Sequence, residues 1–71
     1  DDNLVNELFI EKYRITDREK QIIQSILDGM SNKEIAEELD IALSTVKVYV
    51  YNIFQKTKVS SRINLVNLVR R

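Results

Sequence analysis

The side chains of this chain that can do chemistry are cations, hydroxyls and carboxylates, and they are unevenly placed. Lys47, Lys56, Lys58, Arg62, Arg70 and Arg71 are the six basic residues after residue 40, and no acidic residue accompanies them. Residues 1–40 hold all 11 acidic residues against 5 basic ones, a formal charge of −6, so the +6 of residues 41–71 is hidden by a net charge of zero. What a polyanion meets is local potential, not total charge, so the basic half suits a nucleic-acid surface. A pair of helix faces solvated in opposite senses would give the same count.

Catalysis finds little support. Histidine and cysteine are both absent, which removes the usual general base, the thiol nucleophile and the usual ligands of a transition metal. Glu37 and Glu38 are paired carboxylates only in sequence; neighbours on a helix diverge by about 100° and do not converge on one atom. One glycine in 71 residues leaves no phosphate-cradling loop and no nucleophile elbow. The expectation is therefore a binding protein, not an enzyme, with no cofactor and no metal. Its size suits one domain, and a chain so short buries only about 60% of its unfolded surface. A hydrophobic content of 44% with 31% charged residues fits a soluble globular domain. No apolar run reaches the roughly 20 residues that span a bilayer, and no signal peptide is evident; the expected location is cytoplasmic, without membrane contact. Starting at Asp1, the chain reads as a piece of a longer protein.

The elements that must position the basic half are helices. One Gly and no Pro are too few turn residues for a many-stranded sheet. Thr16-Asp-Arg-Glu19 is a capping box, in which hydroxyl and carboxylate each satisfy the other residue's amide. Ile22, Ile23, Ile26, Leu27 and Met30 follow at helical spacing, and Gly29 supplies a left-handed stop. Ser31-Asn-Lys-Glu34 is a second capping box, followed by the stripe Ile35, Ala36 and Leu39. After Asp40-Ile41-Ala42 a third helix runs from about Leu43 to Thr57. Val46, Tyr49, Val50, Ile53 and Phe54 form its packing face; Ser44, Lys47, Val48, Tyr51 and Gln55 lie opposite. Val48 and Tyr51 stand where a solvated helix would favour Glu or Lys. Ser60 or Ser61 can cap a fourth helix carrying Ile63, Leu65, Val66, Leu68 and Val69. Leu4, Leu8, Phe9 and Tyr13 suggest an extra helix at the front. The fold class is all-α: four helices with a possible fifth at the N-terminus.

The second and third helices have the spacing of a helix-turn-helix. Close crossing requires a small residue on the first helix and apolar residues around the corner. Ala36 is the small residue, Ile35 and Leu39 flank it, Ile41 fills the turn and Val46 anchors the next helix. Asp40 sits where a left-handed conformation is needed and tolerates it better than most residues.

On Ile15-Thr-Asp-Arg-Glu19, Gly29-Met-Ser-Asn-Lys-Glu-Ile-Ala36, Ser44-Thr-Val-Lys47, Asn52-Ile53 and Val59-Ser-Ser-Arg62, residues 15–71 resemble the C-terminal DNA-binding domain of the LuxR/NarL/FixJ, or GerE-type, regulators. Residues 1–14 lie outside the match and would be a helical extension or the end of an interdomain linker; Phe9 to Tyr13 resembles the lead-in of some sensor-fused members. The resemblance implies a bacterial transcription regulator whose third core helix enters the major groove of double-stranded DNA. Lys47, Val48 and Tyr51 would then face base edges. Lys47 can donate to guanine O6 and N7, and Val48 can pack on a thymine methyl. Ser31, Asn32 and Lys33 would contact phosphate through amides, the positive helix end and an ammonium, and Ser44 and Thr45 through hydroxyls. Lys56 would add a phosphate contact or simply be solvated, and the same holds for Lys58. The resemblance further implies a homodimer on inverted or direct half-sites, RNA polymerase as a partner, and control by an upstream sensor or receiver domain. Arg62, Val66, Val69 and Arg70 would form the dimer stripe of the fourth helix; in the other reading, Val66 and Val69 are core.

The chain departs from the family pattern at four places. Ala42 replaces a common Ser or Thr and forfeits a side-chain cap worth about 1 kcal/mol. Tyr49 replaces a common His. Tyr51 replaces a basic residue and cannot make a bidentate charged contact to guanine. Lys58 replaces a common Gly in the turn before the fourth helix. Two other readings compete: a helical module that docks on protein through Val48 and Tyr51, and a sigma-factor region 4. The first does not explain the lack of acidic residues after Asp40, and the second fits the two capping boxes and Thr45-Val-Lys47 less well.

Overall fold

The computed structural model describes residues 5–71, and these form five α-helices and no strand. In order they are α1 (Glu7–Tyr13), α2 (Asp17–Leu27), α3 (Asn32–Leu39), α4 (Leu43–Thr57) and α5 (Arg62–Val69). The four expected core helices are α2 to α5, and the expected front helix is α1. Of its expected apolar residues, Phe9 and Tyr13 pack on the core together with Ile10, while Leu8 is 77% exposed. Leu4 lies outside the described residues.

Local chemistry sets the helix starts. Both capping boxes are formed: Thr16 Oγ1 accepts from the Glu19 amide and Ser31 Oγ from the Glu34 amide, each at 3.2 Å, while the glutamates accept from the cap amides. Asn6 caps α1 through the Phe9 amide. Between the two candidates for α5, Ser61 is the cap, its Oγ accepting from the Asn64 amide; Ser60 accepts instead from the Asn64 side chain. α4 begins at Ala42 with no side-chain cap.

Four helices end through a left-handed residue. It is Gly29 after α2 (φ 85°), but Arg14 after α1 (φ 56°), Asp40 after α3 (φ 56°) and Lys58 after α4 (φ 60°). In each case the next amide reaches back five residues to a carbonyl: Ile15 to Ile10, Met30 to Ser25, Ile41 to Ala36 and Val59 to Phe54. This closes carbonyls that the helix leaves open. A Cβ at Gly29 would meet no neighbouring atom, so backbone conformation alone calls for glycine there.

The core is one cluster. Val5, Ile22, Ile23, Ile35, Val46, Ile53 and Leu65 are fully buried, with Ile15, Ile26, Ala36, Val50 and Val69 beside them. Burying each large aliphatic side chain contributes about 1.5–3 kcal/mol, and truncating one such as Ile53 to Ala would cost about 2–5 kcal/mol. α4 is the centre: it packs on α3 and on α2, and α2 packs on α5. Ala36 and Val46 are both buried, and Ile41 packs half-buried between their helices. These are the corner positions of the helix-turn-helix, with Asp40 left-handed in the turn.

Candidate nucleic-acid interface

α4 presents two unlike faces. Val46, Val50, Ile53 and Thr57 are buried, with Tyr49 and Phe54 half-buried against the core. On the opposite side Ser44, Lys47, Val48 and Tyr51 are exposed at i, i+3, i+4 and i+7, and Thr45 and Gln55 are exposed as well. Val48 is 59% and Tyr51 63% exposed. Val48 and Tyr51 are apolar and aromatic surface that the fold itself does not cover. The core face is what fixes the outward stripe, because α4 is rotationally set by Val46, Val50 and Ile53. No carboxylate lies on α4.

The start of α3 is a second exposed polar site. Its capping box uses the amides of Ser31 and Glu34 and leaves those of Asn32 and Lys33 outside it. Amides at a helix start carry partial positive charge, which favours an anion. Ser31 and Lys33 are exposed and Asn32 is half-buried.

Three expected contact residues have duties inside the protein. Lys56 Nζ donates to Glu19 Oε1 at 2.7 Å and to the Arg14 carbonyl at 2.8 Å. Two of its three N–H groups are thereby committed, which leaves at most one for phosphate. Arg62 turns to the start of α3, where Nη1 donates to Asn32 Oδ1 at 2.9 Å and Nη2 to the Met30 carbonyl. Val69 is buried. The outer surface of α5 is therefore narrower than the stripe Arg62, Val66, Val69 and Arg70. Val66 is half-buried and Arg70 exposed, and Ile63, expected as an apolar residue of this helix but not as part of the dimer stripe, is 70% exposed.

Glu19 is the buried charge of this arrangement, at 4% exposure. Burial pushes its carboxyl pKa up, but the hydrogen bond from Lys56, the Thr16 amide, the Lys56 charge and the Thr16 hydroxyl together hold it below the ordinary glutamate value. A sequence signal for it existed: Glu19 precedes Ile22, Ile23 and Ile26 by three, four and seven residues and so lies on the buried stripe of α2. Arg62 also left a trace, since a cation in the first turn of a helix opposes the dipole and needs another partner.

Among the described residues no helix is long and apolar enough to cross a membrane, and no group of His, Cys, Asp and Glu is arranged to hold a metal ion. Residues 14–69 match the family model described as bacterial regulatory proteins, luxR family. The chain is 40% identical over 63 residues to the transcriptional regulatory protein DesR of Bacillus subtilis, covering 89% of this chain and 32% of that protein. It is 49% identical over 53 residues to the monoamine regulon transcriptional regulator of Klebsiella aerogenes, covering 75% of this chain and 23% of that protein. To the response regulator protein TmoT of Ectopseudomonas mendocina it is 42% identical over 67 residues, 94% of this chain and 30% of the relative. The chain thus spans a third or less of the length of these relatives. No solved structure matches it. With the family match running from Arg14 through α5, and with a helix-turn-helix at its centre, the chain belongs to the luxR family of bacterial regulatory proteins, and membership implies DNA binding in the regulation of transcription.

Proposed function

We propose that this chain is the DNA-binding output domain of a bacterial transcription regulator, acting by insertion of α4 into the major groove. The observation that carries the reading is the outward stripe of α4, where Lys47, Val48 and Tyr51 stand together on a helix whose other face is locked in the core. Lys47 donates to a guanine edge, Val48 packs on a thymine methyl, and Tyr51 offers one hydroxyl and a ring face. Ser44 and Thr45 donate to phosphate at the start of the same helix. Ser31, Asn32 and Lys33 hold a further stretch of backbone through amides and an ammonium. Lys56 serves first as an interior tether and adds a single N–H at most.

Two such domains meet on DNA through the outer surface of α5, with Val66, Arg70 and the exposed Ile63. A two-fold pair reads inverted half-sites, a tandem pair direct ones. An upstream sensor or receiver domain sets when this happens, and RNA polymerase is the downstream partner.

The test is an NMR titration with an oligonucleotide recovered from random-site selection. Shifts at Lys47, Val48 and Tyr51, with affinity falling steeply with salt at a slope of about −0.9 per neutralised phosphate, are the expected result. Perturbation of another surface that leaves these three residues silent overturns the assignment. Salt-insensitive binding of a protein through Val48 and Tyr51 would indicate a docking module instead.

A further inference from the structure

Arg62 is the first residue of α5, yet its guanidinium bonds to another helix. Cations are unfavourable at a helix start, and both of its hydrogen bonds lead away, to Asn32 and Met30 at the beginning of α3. A guanidinium has five donors and no acceptor. Asn32 must therefore show it Oδ1, and the contact fixes which end of the amide faces inward. Nδ2, with both its hydrogens, is not engaged by Arg62 and makes no hydrogen bond among the described residues. Asn32 is also the first residue of α3, between exposed Ser31 and exposed Lys33.

We propose that Arg62 is a positioning residue for DNA binding: it locks the Asn32 amide so that Nδ2 donates to a backbone phosphate, and it places a cation behind the start of α3. The inference rests on the reading above, in which this helix end faces phosphate. Unlocked, the Asn32 amide turns over and offers an acceptor to an anion in part of its population. Locked, it offers only donors, and its side chain loses little freedom on binding. The Met30 carbonyl completes the clamp by holding the guanidinium from its other nitrogen. A contact between residues 30 apart in sequence thereby makes α5 part of the phosphate site of α3.

The experiment is a set of affinity measurements on one selected oligonucleotide, with Arg62→Met, Asn32→Ala, the double variant and Asn32→Asp. The wild-type titration comes first: if the Ser31, Asn32 and Lys33 amides do not move when DNA is added, the parent reading of this helix end fails. Once they do move, the pair is tested on its own. Arg62→Met and Asn32→Ala should each lose about five- to tenfold in affinity, and the double variant should lose no more than about twofold beyond the larger single loss. Fully additive losses, or a loss for Asn32→Ala with none for Arg62→Met, overturn the proposal. Asn32→Asp keeps an acceptor for Arg62 and an acid in the first turn of α3, so its melting temperature should hold or rise while DNA affinity falls at least about tenfold. Wild-type affinity in Asn32→Asp would also overturn it. Should Arg62→Met fail to fold, Arg62→Lys retains the charge but gathers its donors on a single nitrogen, in place of the two that hold Asn32 and Met30. In that variant the Asn32 Nδ2 resonances should shift less on DNA addition than in wild type, and an undiminished shift refutes the lock.

Discussion

Lys56 and Glu19 meet at 2.7 Å between the last turn of α4 and the first turn of α2. The oxygen that takes the ammonium, Glu19 Oε1, also accepts from the Thr16 amide at 2.9 Å. One carboxylate oxygen thus closes the cap of α2 and anchors the rear of the helix proposed to read DNA. The same ammonium reaches the Arg14 carbonyl at the end of α1. Three helices are joined at one point, on the side of α4 away from its first turn.

This arrangement makes stability depend on acid. Glu19 is held below its ordinary pKa, so the unfolded chain takes up a proton at a higher pH than the folded one. Its contribution is therefore complete above the ordinary glutamate value and is lost as pH falls through the lowered folded value. Lys56 is 32% exposed, and solvent weakens its share of the pair. At neutral pH Glu19→Gln should cost about 1.5–3 kcal/mol. Lys56→Met should cost at least as much, because it strands a buried carboxylate. Urea unfolding of wild type and Glu19→Gln between neutral and acid pH checks this: the gap between them should close in acid. A gap that stays constant would show that the Glu19 charge contributes nothing.

Lys58 offers a gain in stability. It ends α4 at φ 60° and ψ 35°, a conformation that costs a residue with a side chain about 1–2 kcal/mol. Glycine removes that cost but loses about 0.5–1 kcal/mol to backbone entropy. Lys58→Gly should therefore stabilise the domain by about 0.5–1 kcal/mol in chemical denaturation. Asp40→Gly should gain less, since Asp tolerates the left-handed region. A loss of stability in Lys58→Gly would mean that its side chain makes a favourable contact outweighing the backbone.

The two capping boxes, the Gly29 stop and the helix-turn-helix were legible in the sequence because their causes are local. Each capping box spans four residues, and Ala36, Asp40, Ile41 and Val46 lie within one turn of a corner. The tethers were not legible, because Lys56 and Glu19 are 37 residues apart and Arg62 and Met30 are 32 apart. No local rule pairs them; only a folded core does. α5 was ambiguous for another reason. Five of its eight residues are apolar, so periodicity could not tell that Leu65 and Val69 would be buried while Ile63 would face out. Arg14 went unnoticed as a left-handed cap, since neither its type nor its neighbours favour that conformation.

Lys47 separates binding from folding. It is exposed on α4, so Lys47→Ala should leave the unfolding transition within about 0.5 kcal/mol of wild type. Its loss should weaken binding to the selected site by about 1–3 kcal/mol and relax the preference at the guanine it is proposed to face. Gel shift on that site and on a scrambled duplex distinguishes the two effects. Equal affinity of variant and wild type for the selected site would mean that another residue reads the groove.

Tyr51 should govern which sequence is chosen. It is 63% exposed and stands one helical turn beyond Lys47, so both act on neighbouring base pairs if α4 lies in the groove. A phenol carries one donor and a ring face, and it cannot form the paired charged contact that selects guanine. Tyr51→Lys supplies an ammonium at that place without touching the core, so stability should change by less than about 0.5 kcal/mol. Two outcomes follow from where the new ammonium goes. If it reaches a base edge, random-site selection should return a motif enriched in guanine at one position. If it reaches only phosphate, affinity rises for all sequences and the salt slope steepens by about one. If Lys47 and Val48 face the groove as proposed, the place of Tyr51 on the same outward stripe favours the base edge. Selection with both proteins in parallel decides between them, and identical motifs would remove Tyr51 from the reading surface.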